Sequence, residues 1–280
     1  MSFKNNSYLK DKDFWDERVQ KYGDKACGHL TSYQKCIEIL KKFSLSNEIH
    51  LEPNQKVLDV GCGNGYWCRW FGKRNVEVTG IDISSKMIDV ARRLTPSTNE
   101  ESRIAFQNVA IEDANFPDES FDLIVSLTTL QHITDDERCI SAVKNIIRML
   151  KPKGCIVIIE YSPKQKTRNF EHKISRTAQE WKEIFTTQGT KLVEEKGVRF
   201  LINRVFGLFE KFEIQFFKIT RGEKQDIKNQ LPHKIYLLFK YLLLGPAVFI
   251  DIILSNIPWK MIQSCSDQHI FIFKKNQNSK

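Results

Sequence analysis

An open, doubly wound α/β sheet is the fold class this sequence predicts, and three observations predict it. Short apolar runs with little alternation, at 56–60 (KVLDV), 121–126 (FDLIVS) and 155–160 (CIVIIE), have the composition of parallel strands covered on both faces. Segments of helical period lie between such runs. The first run empties into VLDVGCGNG, with glycines at 61, 63 and 65, a turn whose bare backbone lets a ligand approach the strand end.

The elements follow in chain order. Residues 11–43 read as two helices separated by the turn YGDKACGH. The first carries Phe14, Trp15, Val19 and Tyr22 on one face, and the second Cys36, Ile37, Leu40 and Phe43. Strand 56–60, the glycine turn and a helix come next. Strand 76–82 (VEVTGID) leads to a helix from Ser84 or Ser85 with Met87, Val90, Ala91 and Leu94 at helical spacing, then to strand 103–109. After strand 121–126, a Thr134–Glu137 capping box opens a helix that turns Ile140, Val143, Ile147 and Leu150 inward and stops at Pro152 and Gly154. Strand 155–160, a helix at 177–187 and a strand near 190–195 complete the alternation, and HIFIFKK reads as a last strand.

Residues 200–262 break the pattern, being unusually apolar and aromatic. For 235–259 three readings stand: a helical lid on the sheet, a membrane-surface face giving peripheral membrane contact, or a true span. Lys240 and Asp251 interrupt the run, leaving ten uncharged residues between them with Gly245–Pro246 inside, well short of a spanning length. The organisation predicted is one domain: a cap over 1–50, a core over 51–196, a helical insertion over 197–265, and a last strand and tail over 266–280.

Composition narrows the class. Hydrophobic residues at 41% and charged residues at 28% are globular values, which exclude a largely disordered chain. The net charge of +9 comes from lysines scattered along the chain, and no basic-aromatic module is visible, so no nucleic-acid partner is expected. Seven widely spaced cysteines, without a CxxC pair or a Cys/His cluster, give no disulfide framework and no metal site. With a polar start that lacks an apolar signal core, they predict a reduced, cytoplasmic protein.

Charge bears on which nucleotide the glycine turn serves. Asp59 stands two positions before the first glycine, where a carboxylate repels a pyrophosphate and welcomes a cationic ligand. GCGNG also places Tyr66 where the dinucleotide fingerprint needs a small residue. Asp82, ending the second strand, can accept both hydroxyls of a ribose, a role shared by both cofactor classes.

VLDVGCGNG, GIDIS, FPDESFDLIVSLTTLQHI and LKPKGCIVIIEYSP, in this order over roughly residues 50–196, resemble the class I S-adenosylmethionine-dependent methyltransferases of the small-molecule type. The resemblance implies a Rossmann-like seven-stranded methyltransferase sheet with an N-terminal helical cap and a helical insertion before the last strand. It implies S-adenosylmethionine as cofactor and a small-molecule acceptor methylated on oxygen or nitrogen. Position by position, it places Asp59, Gly61 and Gly63 at the methionine end, Asp82 on the ribose, Ile83 beside the adenine, and the backbone of Ser126 and Leu127 at the methionine amino group. Ala110 stands where the family often has an acid contacting the adenine, leaving the Ile111 amide and the Glu112 side chain for the base. Trp15 and Tyr22 lie on a helix that closes over the cofactor in related folds.

Methyl transfer from a sulfonium is an in-line displacement that needs alignment, and a base only if the acceptor must lose a proton. His132 is the candidate base, or else a loop histidine held for structure. Glu160 and Tyr161 end the fifth strand, where they touch acceptor or anchor a loop; His172 and Arg176 orient a polar or anionic acceptor or lie on a solvated surface. A nucleotide-dependent oxidoreductase and a non-catalytic S-adenosylmethionine-binding scaffold are the alternatives.

Overall fold

The computed structural model describes residues 6–27, 32–95, 103–199, 246–255 and 266–276. Two compact units emerge, one of Met1–Gly28, Ile49–Glu195 and Gln268–Lys280, the other of His29–Glu48 and Lys196–Asp267.

The first unit is built on a seven-stranded sheet. Its strands are β1 (Lys56–Val60), β2 (Glu77–Asp82), β3 (Ile104–Asn108), β4 (Phe121–Leu127), β5 (Leu150–Tyr161), β8 (Thr190–Arg199) and β9 (Gln268–Lys275), in the order β3-β2-β1-β4-β5-β9-β8. β6 (Thr167–Phe170) and β7 (Lys173–Ser175) form a separate antiparallel hairpin that the sequence reading did not contain. β1 to β5 run parallel, and β9 returns antiparallel to β5. The order reverses between β1 and β4, so the crevice outside their carboxyl ends is where such a sheet binds a ligand.

Helices α1 (Asn6–Tyr22), α3 (Tyr66–Gly72), α4 (Ser85–Arg93), α5 (Asp136–Met149) and α6 (Ala178–Thr186) belong to this unit. One sheet face meets α5 and α6 in a core of Leu58, Val60, Ile124, Ile156 and Ile158, closed by Trp181, Phe185 and Phe273. α6 begins at a capping box in which Thr177 and Glu180 satisfy each other's backbone amides.

α5 differs from its predicted form in three ways. Its cap is Asp135, whose carboxylate accepts the Arg138 N–H at 2.9 Å, one residue beyond the expected Thr134; a charged acceptor complements the helix N-terminus better than a hydroxyl. Its buried stripe is Cys139, Ala142, Val143, Ile146 and Met149, while Ile140 and Ile147 are only half-buried on its flank. The small Cys139 and Ala142 let the helix lie close to the sheet. It ends at Met149, because Leu150 already pairs with Phe121 as the start of β5 and the residue before Pro152 favours extended backbone.

In the second unit, α2 (Ser32–Glu48) buries Leu40, Ser44 and Leu45, and Lys196 pairs with Glu48 at 2.5 Å. The expected helix-face residue Cys36 has no described side chain. A further helix spans 246–255, burying Ala247, Val248 and Asp251 and exposing Phe249, Ile250 and Ile253. The rest of the apolar stretch 200–262 lies outside the described residues, and with it most of the expected lid. Among the described residues no helix is long and apolar enough to cross a membrane.

Phe185 is fully buried and stacks on Phe273 at 4.5 Å, joining α6 to β9. Phe185→Ala is expected to lower unfolding free energy by about 3–5 kcal/mol in urea titrations, the range for an aromatic removed from a packed core. A loss under about 1 kcal/mol would show that this contact is not part of the cooperative core.

Candidate active site

The glycine turn is set by close approach as much as by conformation. Gly61, Gly63 and Gly65 have φ of +71°, +53° and +73°, a region costly for any residue with a β-carbon. A β-carbon on Gly61 would lie 2.1 Å from the Thr129 methyl, and one on Gly63 would lie 2.6 Å from the Cys27 sulfur. The amides of Gly61 and Cys62 both donate to the Ile81 carbonyl, at 2.8 and 2.9 Å, holding the turn against β2.

Two carboxylates stand at this edge. Asp82 accepts the Gly63 N–H on one oxygen and the Ser84 N–H on the other, each at 2.9 Å. Asp59, on β1, meets the Cys68 thiol at 3.1 Å. Neither is bonded to a lysine or arginine among the described residues. Burial drives both toward the protonated form, Asp59 up to about 7 with Asp82 adding repulsion, and Asp82 up to about 6.

β4 delivers the next group. Ser126 and Leu127 are buried, and the Ser126 hydroxyl has no hydrogen-bond partner among the described residues. The chain then turns sharply through Thr128 at φ +63°, whose N–H donates to the Ile159 carbonyl at 2.7 Å. The amides of Thr129 and Leu130 donate to one oxygen of Glu160, at 3.0 and 2.8 Å, and a 3-10 turn over Leu130–His132 follows. His132 Nδ1 lies 2.9 Å from the His172 carbonyl; a carbonyl only accepts, so Nδ1 carries the proton and Nε2 keeps its lone pair in the neutral ring. Burial lowers its pKa to about 4.

α1 crosses this edge, anchored by charge and by rings. Arg138 bonds Asp11 at 2.8 Å and Glu112 at 2.7 Å, and the Ser84 hydroxyl donates to Asp16 at 2.5 Å. Trp15 meets His132 edge-on at 4.9 Å, and Phe14 stacks on His172 at 3.8 Å. Beside that stack a cavity of about 820 Å³ opens between α1 and the β6–β7 hairpin, lined among others by Asp11, Phe14, Arg168, Phe170 and His172.

The structure thus gathers Asp59, Gly61, Gly63, Asp82, Ser126, Leu127, His132, His172 and Trp15 at or around one sheet edge. Ile83 follows β2 directly, and its carbonyl accepts the Asn108 side chain at 2.9 Å. Ile111 is buried and gives its carbonyl to Asn145, while the Glu112 carboxylate is engaged by Arg138. Tyr22 is 43% exposed, with the Arg18 and Lys21 cations over its ring. Tyr161 lies under the Lys173 ammonium at 4.5 Å. Arg176, far from a solvated surface, is buried and binds Asp136 at 2.6 Å, tying the hairpin to the start of α5. Glu160 is wholly buried, and burial pushes its pKa up to about 7.

Sequence reasoning missed Cys27, Thr129, Asp16 and Phe14. Thr129 carries a local signal, standing just past a strand end in a chain that must pass the glycine turn. Cys27 and Asp16 carry none, since their contacts span 37 and 68 residues. Among the described residues no group of His, Cys, Asp or Glu is arranged to hold a metal ion.

Residues 57–154 match the methyltransferase domain family. The chain is 32% identical over 163 residues to phosphoethanolamine N-methyltransferase 1 of Arabidopsis thaliana, covering 57% of this chain and 30% of that protein. It is 32% identical over 118 residues to the ubiquinone/menaquinone biosynthesis C-methyltransferase UbiE of Geotalea daltonii, covering 41% of this chain and 49% of that one. The chain thus spans half or less of the length of these curated relatives. In fold it is similar to the [4+2]-cyclase SpnF, with a TM-score of 0.63 at 16% identity over 97% of both chains.

The His132 environment makes a spectroscopic prediction. Nitrogen-detected NMR should show a neutral ring with the proton on Nδ1 throughout the neutral range, titrating near about 4 instead of the ordinary 6.5. A ring that titrates at the ordinary value would show that the site is open to water.

Proposed function

We propose that this chain, whose residues 57–154 match the methyltransferase domain family, is a class I S-adenosylmethionine-dependent methyltransferase that binds S-adenosylmethionine at this sheet edge and methylates a small-molecule oxygen or nitrogen. The observation that carries this reading is the pair Asp59 and Asp82, buried at the carboxyl ends of adjacent strands without a cationic partner among the described residues. Such a pair suits a cofactor with an ammonium, a sulfonium and ribose hydroxyls, and it opposes a pyrophosphate. The buried Ser126 hydroxyl, without a hydrogen-bond partner among the described residues, and the side-chain-free glycine turn fit the same group.

In this reading Asp59, Gly61 and Gly63, with the backbone of Ser126 and Leu127, hold the methionine end, and Asp82 holds the ribose. Ile83 and the Ile111 amide flank the adenine, and Trp15 and Tyr22 lie on the covering helix. Bound S-adenosylmethionine supplies an electrophilic methyl group on a sulfonium. The chain's own work is alignment, exclusion of water beneath α1 and, through the unprotonated Nε2 of His132, which lies 3.5 Å from the Gln131 side-chain amide, removal of the acceptor's proton. The acceptor approaches through the cavity that His172 lines. A hydrophobic part on the acceptor belongs to the proposal too, motivated by the apolar and aromatic sequence of 200–262.

Calorimetry separates this reading from its alternatives: S-adenosylhomocysteine should bind and NAD should not. Asp82→Ala should weaken S-adenosylhomocysteine by about 1.5–3 kcal/mol, the scale of hydrogen bonds to a charged group, with the fold intact by circular dichroism. Cofactor binding favours ionised Asp59 and Asp82, so affinity should rise as pH increases through about 6 to 7 and protons should be released. A pH-independent affinity would remove both carboxylates from the site. With an acceptor found by labelled-methyl screening, His132→Ala should cut turnover by roughly 10²–10⁴-fold with cofactor affinity nearly unchanged. A chain that binds cofactor and methylates nothing in any extract would instead be a binding scaffold.

A further inference from the structure

The proposed reaction gives Glu160 no contact with cofactor or acceptor, yet this carboxylate is placed where both sides of the site meet. It is wholly buried at the carboxyl end of β5. One oxygen accepts two successive amides, Thr129 at 3.0 Å and Leu130 at 2.8 Å, and the other oxygen is buried without a hydrogen-bond partner among the described residues. Those amides open the turn that ends in His132, whose own N–H donates back to the Thr129 carbonyl at 2.9 Å. In the other direction, the Thr129 methyl fills the place a side chain on Gly61 would take, and its hydroxyl lies 3.4 Å from the Gly61 carbonyl.

The turn does not hold itself. Thr128, β-branched and in the left-handed region, sits in a conformation that such residues adopt only when their surroundings impose it. The imposed contacts are the Thr128 amide on the Ile159 carbonyl and the two amides on Glu160, all supplied by β5. Without the carboxylate, the Thr129 and Leu130 amides would be left unmatched beside an apolar core, a costly state that a local rearrangement would relieve.

We propose that Glu160 is a positioning residue: by accepting the Thr129 and Leu130 amides it keeps Thr129 against the glycine turn and His132 aimed at the acceptor. It therefore couples the cofactor side of the site to the base. The inference rests on the proposed function for its meaning, but its test needs no turnover.

Glu160→Gln retains a carbonyl oxygen of the same reach, whereas Glu160→Ala removes the acceptor. S-adenosylhomocysteine affinity by calorimetry, the nitrogen NMR signature of His132, and amide hydrogen exchange at 129–132 are compared in the full chain. Glu160→Ala should speed exchange at 129–132 by at least roughly tenfold, the scale of one lost hydrogen bond. It should weaken S-adenosylhomocysteine by roughly three- to tenfold and shift the His132 signature toward that of a solvated ring. Glu160→Gln should leave all three within about twofold of wild type. If Glu160→Ala leaves the His132 signature and cofactor affinity unchanged, or if Glu160→Gln is as damaging, the assignment is overturned. Should the alanine variant fail to fold, Glu160→Gln alone decides, because a displaced His132 signature in that variant is incompatible with the proposal. Failure of the wild-type chain to bind S-adenosylhomocysteine would strike the proposed function instead.

Discussion

The Asp82 carboxylate is the contact on which the rest of the site depends. One oxygen takes the Gly63 amide and the other the Ser84 amide, so a single side chain pins the glycine turn to the corner between β2 and α4. The same corner passes the connection outward, since the Ser84 hydroxyl donates to Asp16 on α1. Burying a carboxylate is costly, and here two charge-assisted amide bonds offset the loss of water. The offset is incomplete, which is why the group is easier to protonate than a solvated aspartate.

Desolvation shapes the site with opposite signs. It raises Asp59, Asp82 and Glu160 and lowers His132, so burial drives each of these four groups toward its neutral form. For the histidine this keeps the ring neutral and Nε2 unprotonated at neutral pH. α1 lies across the edge, tied to the core through the Asp11–Arg138–Glu112 ion network, with Phe14 stacked on His172 and Trp15 edge-on to His132. The Arg138 network also explains why Glu112, a free carboxylate on paper, is already committed.

Fold and chemistry separate cleanly in the relatives. One is named for N-methylation, another for C-methylation, and a structural neighbour spanning nearly the whole chain is named a cyclase. A shared fold therefore does not fix the chemistry. In this chain the turn after β4, the hairpin after β5 and α1 supply His132, His172, Phe14 and Trp15.

Periodicity and glycine spacing were enough for the order of strands and helices and for the place of Asp59, Asp82 and the glycine turn, because parallel strands and strand-end turns are written in consecutive residues. The start of α5 was misread by one residue and its buried face was rotated. A propensity pattern does not register that small residues such as Cys139 and Ala142 pack closest to a sheet. The β6–β7 hairpin left no legible signal. What only tertiary structure decided is the company each charged group keeps. Arg176 became a buried anchor, Glu112 an ion-pair partner of α1, and Glu160 the acceptor for a strained turn. Each outcome joins residues tens of positions apart, and desolvation and hydrogen bonding act on distance in space, which a sequence read along its length does not contain.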